Sequence, residues 1–168
     1  YLATRNVLLR PQFGLSQAPR ALDRMDATLH RHAALLRERA DARHIVEGHG
    51  DLRPEHVCML LPPVVIDALE FNAAFRQVDP LDDVALLGME CEAAGAAWIG
   101  PRLIDRIATA LDADAARPLV PSYTAYRALL RARLAAAHLL EPEPRRPQHW
   151  LAQARRYVAL AGRTLADC

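Results

Sequence analysis

Apolar residues recur along this chain mostly at helical intervals. Leu22, Met25, Leu29, Ala33 and Leu36 alternate with charged residues, which predicts an amphipathic helix from about Pro19 to Ala40. Asp79-Pro80 followed by Asp82 and Asp83 marks another helix start. An Asp can cap the free N–H groups, Pro fits the first helical position, and acids suit the first turn. That helix should run to about Ala94, before Gly95 and Gly100-Pro101 break and restart the chain. Leu103, Ile104, Ile107 and Leu111 give the next helix its apolar face. From Ser122 to Leu140 the set Tyr123, Tyr126, Leu130, Leu134 and Ala137 predicts a further helix, stopped by Pro142 and Pro144. A last one begins at Pro147 and carries Trp150, Leu151, Ala154, Tyr157, Val158, Ala161 and Leu165.

The pattern changes between His44 and Asp67. His44 to Glu47 is a brief extended run. Val57–Leu61 and Val64–Asp67 are β-rich runs flanking Pro62-Pro63, which predicts a hairpin. If the two prolines form the turn, Leu61 lies opposite Val64, Met59 opposite Ile66 and Cys58 opposite Asp67. The expected class is therefore α+β, mainly α. No internal repeat or long linker is evident, so 1–168 reads as a single domain.

Composition narrows the function classes. The 168 residues are 52% hydrophobic, mostly Ala, Leu and Val, with 5% aromatic. No apolar run approaches the length that crosses a bilayer, so a soluble protein without a membrane partner is expected. A net charge of +1 and interspersed acids and bases lack the basic stripe of a nucleic-acid binder. Arg145, Arg146, His149, Arg155 and Arg156 read as a solvated helix face. Cys58, Cys91 and Cys168 match neither a zinc module nor a disulfide framework, which points to a reducing cytoplasm. Cys58 is expected to be buried and Cys168 exposed. Tyr123 and Tyr126 read as core residues, with a substrate cleft as the alternative.

Candidate chemistry concentrates in His49–Val57, HGDLRPEHV, and Val65–Phe71, VIDALEF. Gly50 permits a tight backbone turn from which Asp51 can project, and the hairpin brings Asp67 beside His56. Phosphoryl transfer needs a group that orients the attacking hydroxyl and divalent metal that holds the phosphates. Asp51 and Asp67 suit those two tasks. Each has a structural alternative: Asp51 as a loop cap, Asp67 as a strand end, His49 and His56 as satisfied polar residues. A further reading takes Glu47, His49, Asp51, His56 and Asp67 as a Zn²⁺ or Mn²⁺ hydrolase site, since mixed His and carboxylate ligands suit those ions.

The two segments resemble the catalytic loop and the metal-binding segment of the aminoglycoside phosphotransferase family, which is kinase-like. The family loop is approximately H-G-D-L-H-x-x-N; His49, Gly50, Asp51 and Leu52 match it, while Arg53 and His56 replace its second His and its Asn. Asp67, Glu70, Phe71 and Asn72 match a branch that reads D-x-x-E-F-N, and Arg76, Asp79 and Asp83 agree with the continuation of that branch. The resemblance covers about 45–85 and implies a catalytic Asp51, a metal-binding Asp67 and His56 at a second metal position. Imidazole suits Mg²⁺ less well than oxygen does. Glu70 is expected either to assist the metal or to clamp Arg53 or Arg76.

By this resemblance the chain is the helical C-terminal lobe of a kinase-like fold with a small catalytic β-hairpin. The function implied is an ATP- and Mg²⁺-dependent small-molecule phosphotransferase acting on a hydroxyl acceptor. The alternative is a catalytically silent binding or scaffold module. All 21 basic residues are arginine, so the lysine that contacts nucleotide phosphates in the family has no counterpart. The 48 residues before His49 read as helix rather than as a strand-rich nucleotide lobe. A chain starting at Tyr1 reads as a fragment whose nucleotide lobe lies upstream in the same polypeptide.

Overall fold

The structure, a computed structural model, describes residues 1–166, so the expectation for Cys168 lies outside the described residues. The described chain is mostly helical with a few short strands, as an α+β, mainly α class requires. It divides into two compact units, 1–31 with 124–168, and 32–123.

The first unit holds α1 (Leu2–Leu8), α2 (Ala18–Arg31), α7 (Pro147–Thr164) and the portion of α6 (Val120–Ala137) from Thr124 onward. Helix α2 packs along α7, and both bury a continuous stripe: Ala18, Ala21, Leu22 and Met25 on one, Ala154, Tyr157, Val158 and Ala161 on the other. Arg24 Nη1 donates to the Gly162 carbonyl at 2.8 Å and ties the two helices together at their polar margin. Arg145, Arg146, His149, Arg155 and Arg156 are all exposed, as a solvated face should be.

Two sequence expectations are corrected by helix packing. The stripe read from Pro19 to Ala40 belongs to two helices, α2 and α3 (Ala33–Asp41), with His32 between them. Spacing alone runs through the break because Ala33 and Leu36 keep the period, yet the buried residue of α3 is Arg39. On α6 the buried apolar positions are Ala125, Ala128, Leu129, Ala132, Ala135 and Ala136, with Ser122 and Arg127 buried beside them, whereas Leu134 is exposed. The buried apolar positions of this helix are thus mostly alanines, which a period read from its larger residues misses.

The second unit is built on α4 (Pro80–Ala93) and α5 (Ile99–Ala110). They meet closely where glycines face each other: a Cβ on Gly88 would lie 2.8 Å from the Gly100 Cα. Leu81, Val84, Ile104, Ala108, Ala113, Ala116 and Leu119 form the buried core, with Leu35, Leu36, Leu103, Ile107, Val120 and Tyr123 packed against it. Asp79 caps α4 as expected, accepting from the Leu81 N–H at 2.9 Å. Its carboxylate does more: Arg39 Nε and Nη2 both donate to it, the latter at 3.1 Å, and the Tyr123 hydroxyl donates at 3.0 Å. Burial, then the Asp79 charge, pushes the Tyr123 hydroxyl well above its ordinary pKa. Tyr123 is thus a strut of this unit.

Four two-residue strands complete the unit. β1 (Val46–Glu47) pairs antiparallel with β4 (Gln77–Val78), and β2 (Val57–Cys58) with β3 (Val64–Val65). The hairpin exists, but its register differs from the one expected: Val57 faces Val65 and Cys58 faces Val64. A two-residue hairpin turn needs backbone angles with positive φ, which proline cannot adopt. The connection therefore takes in Met59 to Pro63, tightened by a Leu60 N–H to Cys58 carbonyl bond of 2.8 Å. Cys58, expected to be buried, is half-buried, and Val64 and Val65 on the facing strand are exposed.

Candidate functional site

The HGD segment is held from below by α4. Gly48 N–H donates to the Arg76 carbonyl at 2.7 Å, which extends the β1–β4 ladder by one bond. Asp83, in the first turn of α4, then accepts the backbone N–H groups of His49 at 2.7 Å and Gly50 at 3.0 Å. Gly50 has φ +83°, and a Cβ there would come within 2.5 Å of the Phe75 carbonyl oxygen, so both its angle and its surroundings require glycine. Gly48 is likewise confined: a Cβ would meet the Asp83 carboxylate and Val78 at 2.6 Å. The loop is thus clamped between the first turn of α4 and the 73–76 turn.

Asp51 emerges from this clamp with its side chain partly exposed. Its Oδ2 accepts from Arg53 Nε at 3.0 Å, and its carbonyl accepts from His56 Nδ1 at 2.9 Å. His56 is buried. With Nδ1 donating, its Nε2 carries the lone pair, and that atom meets two groups: Arg53 Nη2 at 3.0 Å and Asp67 Oδ2 at 3.3 Å. Arg53 Nη1 reaches Glu55 at 2.6 Å. His49 stacks on His56 with ring centroids 5.3 Å apart. It accepts the Asp51 N–H on Nδ1 at 3.2 Å and donates from Nε2 to the Ile66 carbonyl at 2.8 Å. The His49–Ile66 bond and the Ile66 N–H to His56 carbonyl bond of 3.0 Å tie the hairpin to the loop.

Asp67 comes next along the chain, in the left-handed region at φ +62° and with its side chain 76% exposed. Asp tolerates that conformation better than most residues, at a cost of roughly 1–2 kcal/mol. The expected neighbourhood of Asp67 and His56 is therefore present, although the hairpin register that suggested it is not. The Asp51 backbone carbonyl and the Asp67 carboxylate both lie against the His56 imidazole, and Arg53 links the Asp51 carboxylate to it.

Other expectations fare differently. Arg53 is engaged with Asp51, Glu55 and His56, and Arg76 with Glu47 at 2.7 Å and the Leu69 carbonyl at 2.6 Å, so the Glu70 clamp does not form. Glu47 of the five-residue hydrolase set is engaged by Arg76 at 2.7 Å. Among the described residues no group of three or more His, Cys, Asp or Glu is arranged to hold a metal ion. For Mg²⁺ the carboxylate that the arrangement sets beside His56 is Asp67, whose side chain is exposed. His56 does not fit, because its lone pair already accepts from Arg53 and because imidazole suits this ion poorly.

Two contributors escaped the sequence reading. Asp83 looks like a first-turn acid from its position, and only the folded loop shows it receiving two backbone N–H groups. Arg53 looks like a substitution in a motif, whereas its guanidinium links the Asp51 carboxylate to His56. Spacing held a hint of the second contact, since a long side chain three residues before His56 can reach it across a single turn.

Three mycobacterial proteins resemble part of the chain. Rv2004c of Mycobacterium tuberculosis and Mb2027c of Mycobacterium bovis, both described as uncharacterized, are 32% identical to it over 101 residues. The matched stretch is 60% of this chain and 20% of each relative, so the similarity spans a fifth of the relatives' length. No known family profile matches the chain, and no solved structure matches it. No described helix is long and apolar enough to cross a membrane.

Proposed function

We propose that this chain is the acceptor-and-metal lobe of an ATP- and Mg²⁺-dependent phosphotransferase of the aminoglycoside phosphotransferase type, acting on a small hydroxyl compound in the cytoplasm. The observation that carries the reading is the placing of Asp51 and Asp67 around His56, on a loop clamped by Asp83: His56 donates to the Asp51 backbone carbonyl and lies 3.3 Å from the Asp67 carboxylate, and Arg53 bridges the Asp51 carboxylate to the same imidazole. The sequence resemblance names those residues, and the geometry supports them as parts of one site.

Asp51 accepts the proton of the attacking hydroxyl as that oxygen bonds to the γ-phosphorus and the bond to the ADP oxygen breaks. With Oδ2 held by Arg53, Oδ1 is the oxygen that would face the acceptor. Mg²⁺ bound with ATP would offset phosphate charge, and Asp67 is the residue suited to hold it. The nucleotide contacts fall to an upstream lobe of the same polypeptide. Exposed apolar residues beside the site support such a neighbour: Met59 is 85% exposed, Leu61 100% and Phe71 78%. A soluble protein seldom leaves so many large apolar side chains uncovered in one region.

The alternative, a silent binding module, draws on the absence of lysine and on Arg53 occupying Asp51. Mg²⁺-ATP binding and turnover by the full-length polypeptide separate the two. In the enzyme, Asp51→Asn lowers turnover by about 10²–10⁴-fold while ATP still binds, and Asp67→Asn weakens metal-dependent binding as well. A folded full-length protein that binds no Mg²⁺-ATP establishes the silent module, and unaltered activity in either variant refutes the assigned roles.

A further inference from the structure

Two donor atoms on one metal ion lie about 3 Å apart when each bond is about 2.1 Å long. His56 Nε2 and Asp67 Oδ2, 3.3 Å apart, have that spacing and so resemble half of a cation site. The cation already beside Nε2, however, belongs to the protein. His56 Nδ1 donates to the Asp51 carbonyl, which leaves a single lone pair on Nε2, and Arg53 Nη2 takes it at 3.0 Å. A lone pair engaged by an N–H cannot also bind a metal.

Arg53 is well fixed for such a role. Its Nε is on Asp51 Oδ2 at 3.0 Å, its Nη1 on Glu55 at 2.6 Å and its Nη2 on His56, and its side chain is mostly buried. A guanidinium keeps its charge at any pH the protein experiences, so a second cation brought to Nε2 would be repelled as well as denied its ligand. The geometry points to Arg53 as the resident cation of this site, a positioning residue that takes the place of a divalent ion at His56 and leaves Asp67 alone for metal. This rests on the phosphotransferase reading and deepens it: the lobe works with one divalent ion where its resemblance to the family suggests two. Arg53 also fixes the orientation of the Asp51 carboxylate by holding one of its oxygens.

Mn²⁺ alone, titrated into the full chain and followed by the electron paramagnetic resonance of the free ion, tests this without any activity measurement. The wild-type chain should bind one Mn²⁺ weakly, with binding lost in Asp67→Asn. His56→Ala should leave that affinity unchanged, since His56 is not a ligand while Arg53 is present. Arg53→Ala and Arg53→Gln should each tighten Mn²⁺ binding at least ten-fold, and His56→Ala added to either should abolish the gain. Arg53→Lys, which keeps the charge, should stay near wild type. Weaker binding in His56→Ala alone, or no tightening in the neutral Arg53 variants, overturns the role of Arg53 while the phosphotransferase reading stands. Absence of Mn²⁺ binding in every variant, the neutral Arg53 ones included, likewise overturns the role of Arg53, whereas the phosphotransferase reading falls only if the full-length polypeptide binds no Mg²⁺-ATP. Because the His56→Ala arm keeps Arg53, it decides the question even where an Arg53 variant fails to fold.

Discussion

Within the 32–123 unit, the helical core and the loop-and-hairpin region are held by opposite means. Around Leu81, Ile104 and Leu119 the apolar side chains point inward and are buried. Around the hairpin they point outward, and the backbone is held by polar contacts: Asp83 to the His49 and Gly50 N–H groups, Arg76 to Glu47 and Leu69, His49 to Ile66. The candidate chemistry lies wholly in the second region. Hydrophobic burial makes a rigid platform, while directional hydrogen bonds place Asp51 and Asp67 upon it. A region held this way opens locally at lower free energy than the core does, which would suit the substrate and neighbouring lobe proposed above.

The largest effect should come from the core. Leu81 is fully buried at the start of α4, the helix that Asp79 caps and that carries Asp83. Leu81→Ala should cost about 2–5 kcal/mol, through lost transfer energy and the cavity left behind. Urea unfolding would show a lowered midpoint with little change in slope. A cost below about 1 kcal/mol would mean that this core is packed far more loosely than its burial implies.

How much of this contrast is legible in the sequence depends on how local its cause is. The start of α4 is legible because capping involves Asp79, Pro80 and Leu81, all adjacent. The hairpin is legible as an element, but its register is not, because an alternating pattern around Pro62-Pro63 does not show that the connection spans five residues. The meeting of Asp67 and His56 survives that error, since the Ile66 N–H to His56 bond fixes it independently of the turn. The buried face of α6 is hidden because hydrophobicity ranks Leu134 above Ala132, whereas in the fold Ala132 is buried and Leu134 exposed. Asp83 and Arg53 act through contacts that depend on the folded loop: one reaches back from position 83 to position 49, and the other closes on itself within four residues.

The second effect sharpens the comparison at the point where the two regions join. Asp83 is buried and accepts the His49 and Gly50 N–H groups, so Asp83→Asn replaces a charged acceptor of two bonds with a neutral amide of which only the oxygen accepts. A hydrogen bond to a charged group is worth about 1.5–3 kcal/mol, and this substitution should lose part of that range while the helical core stays folded. Amide hydrogen exchange should then accelerate at His49 and Gly50 and stay slow at Leu86 and Met89. Equal acceleration in both places would show that loop and core unfold as one unit, and the contrast between the two regions would fail.

The smallest effect on this chain is expected at the tip of the hairpin. Leu61 is fully exposed, so Leu61→Ser removes no buried contact and should change stability by less than about 0.5 kcal/mol. The result should differ in the full-length polypeptide. If the upstream lobe covers the hairpin there, Leu61 is buried on docking, and the same substitution should cost about 1.5–3 kcal/mol, the value of burying one such side chain. Parallel urea titrations of the chain and of the full-length protein measure both numbers. A difference between them would assign the exposed apolar residues to an interface within the polypeptide. Equal, negligible costs would leave the outward-facing side chains uncovered and remove the main structural support for a nucleotide lobe seated beside Asp51.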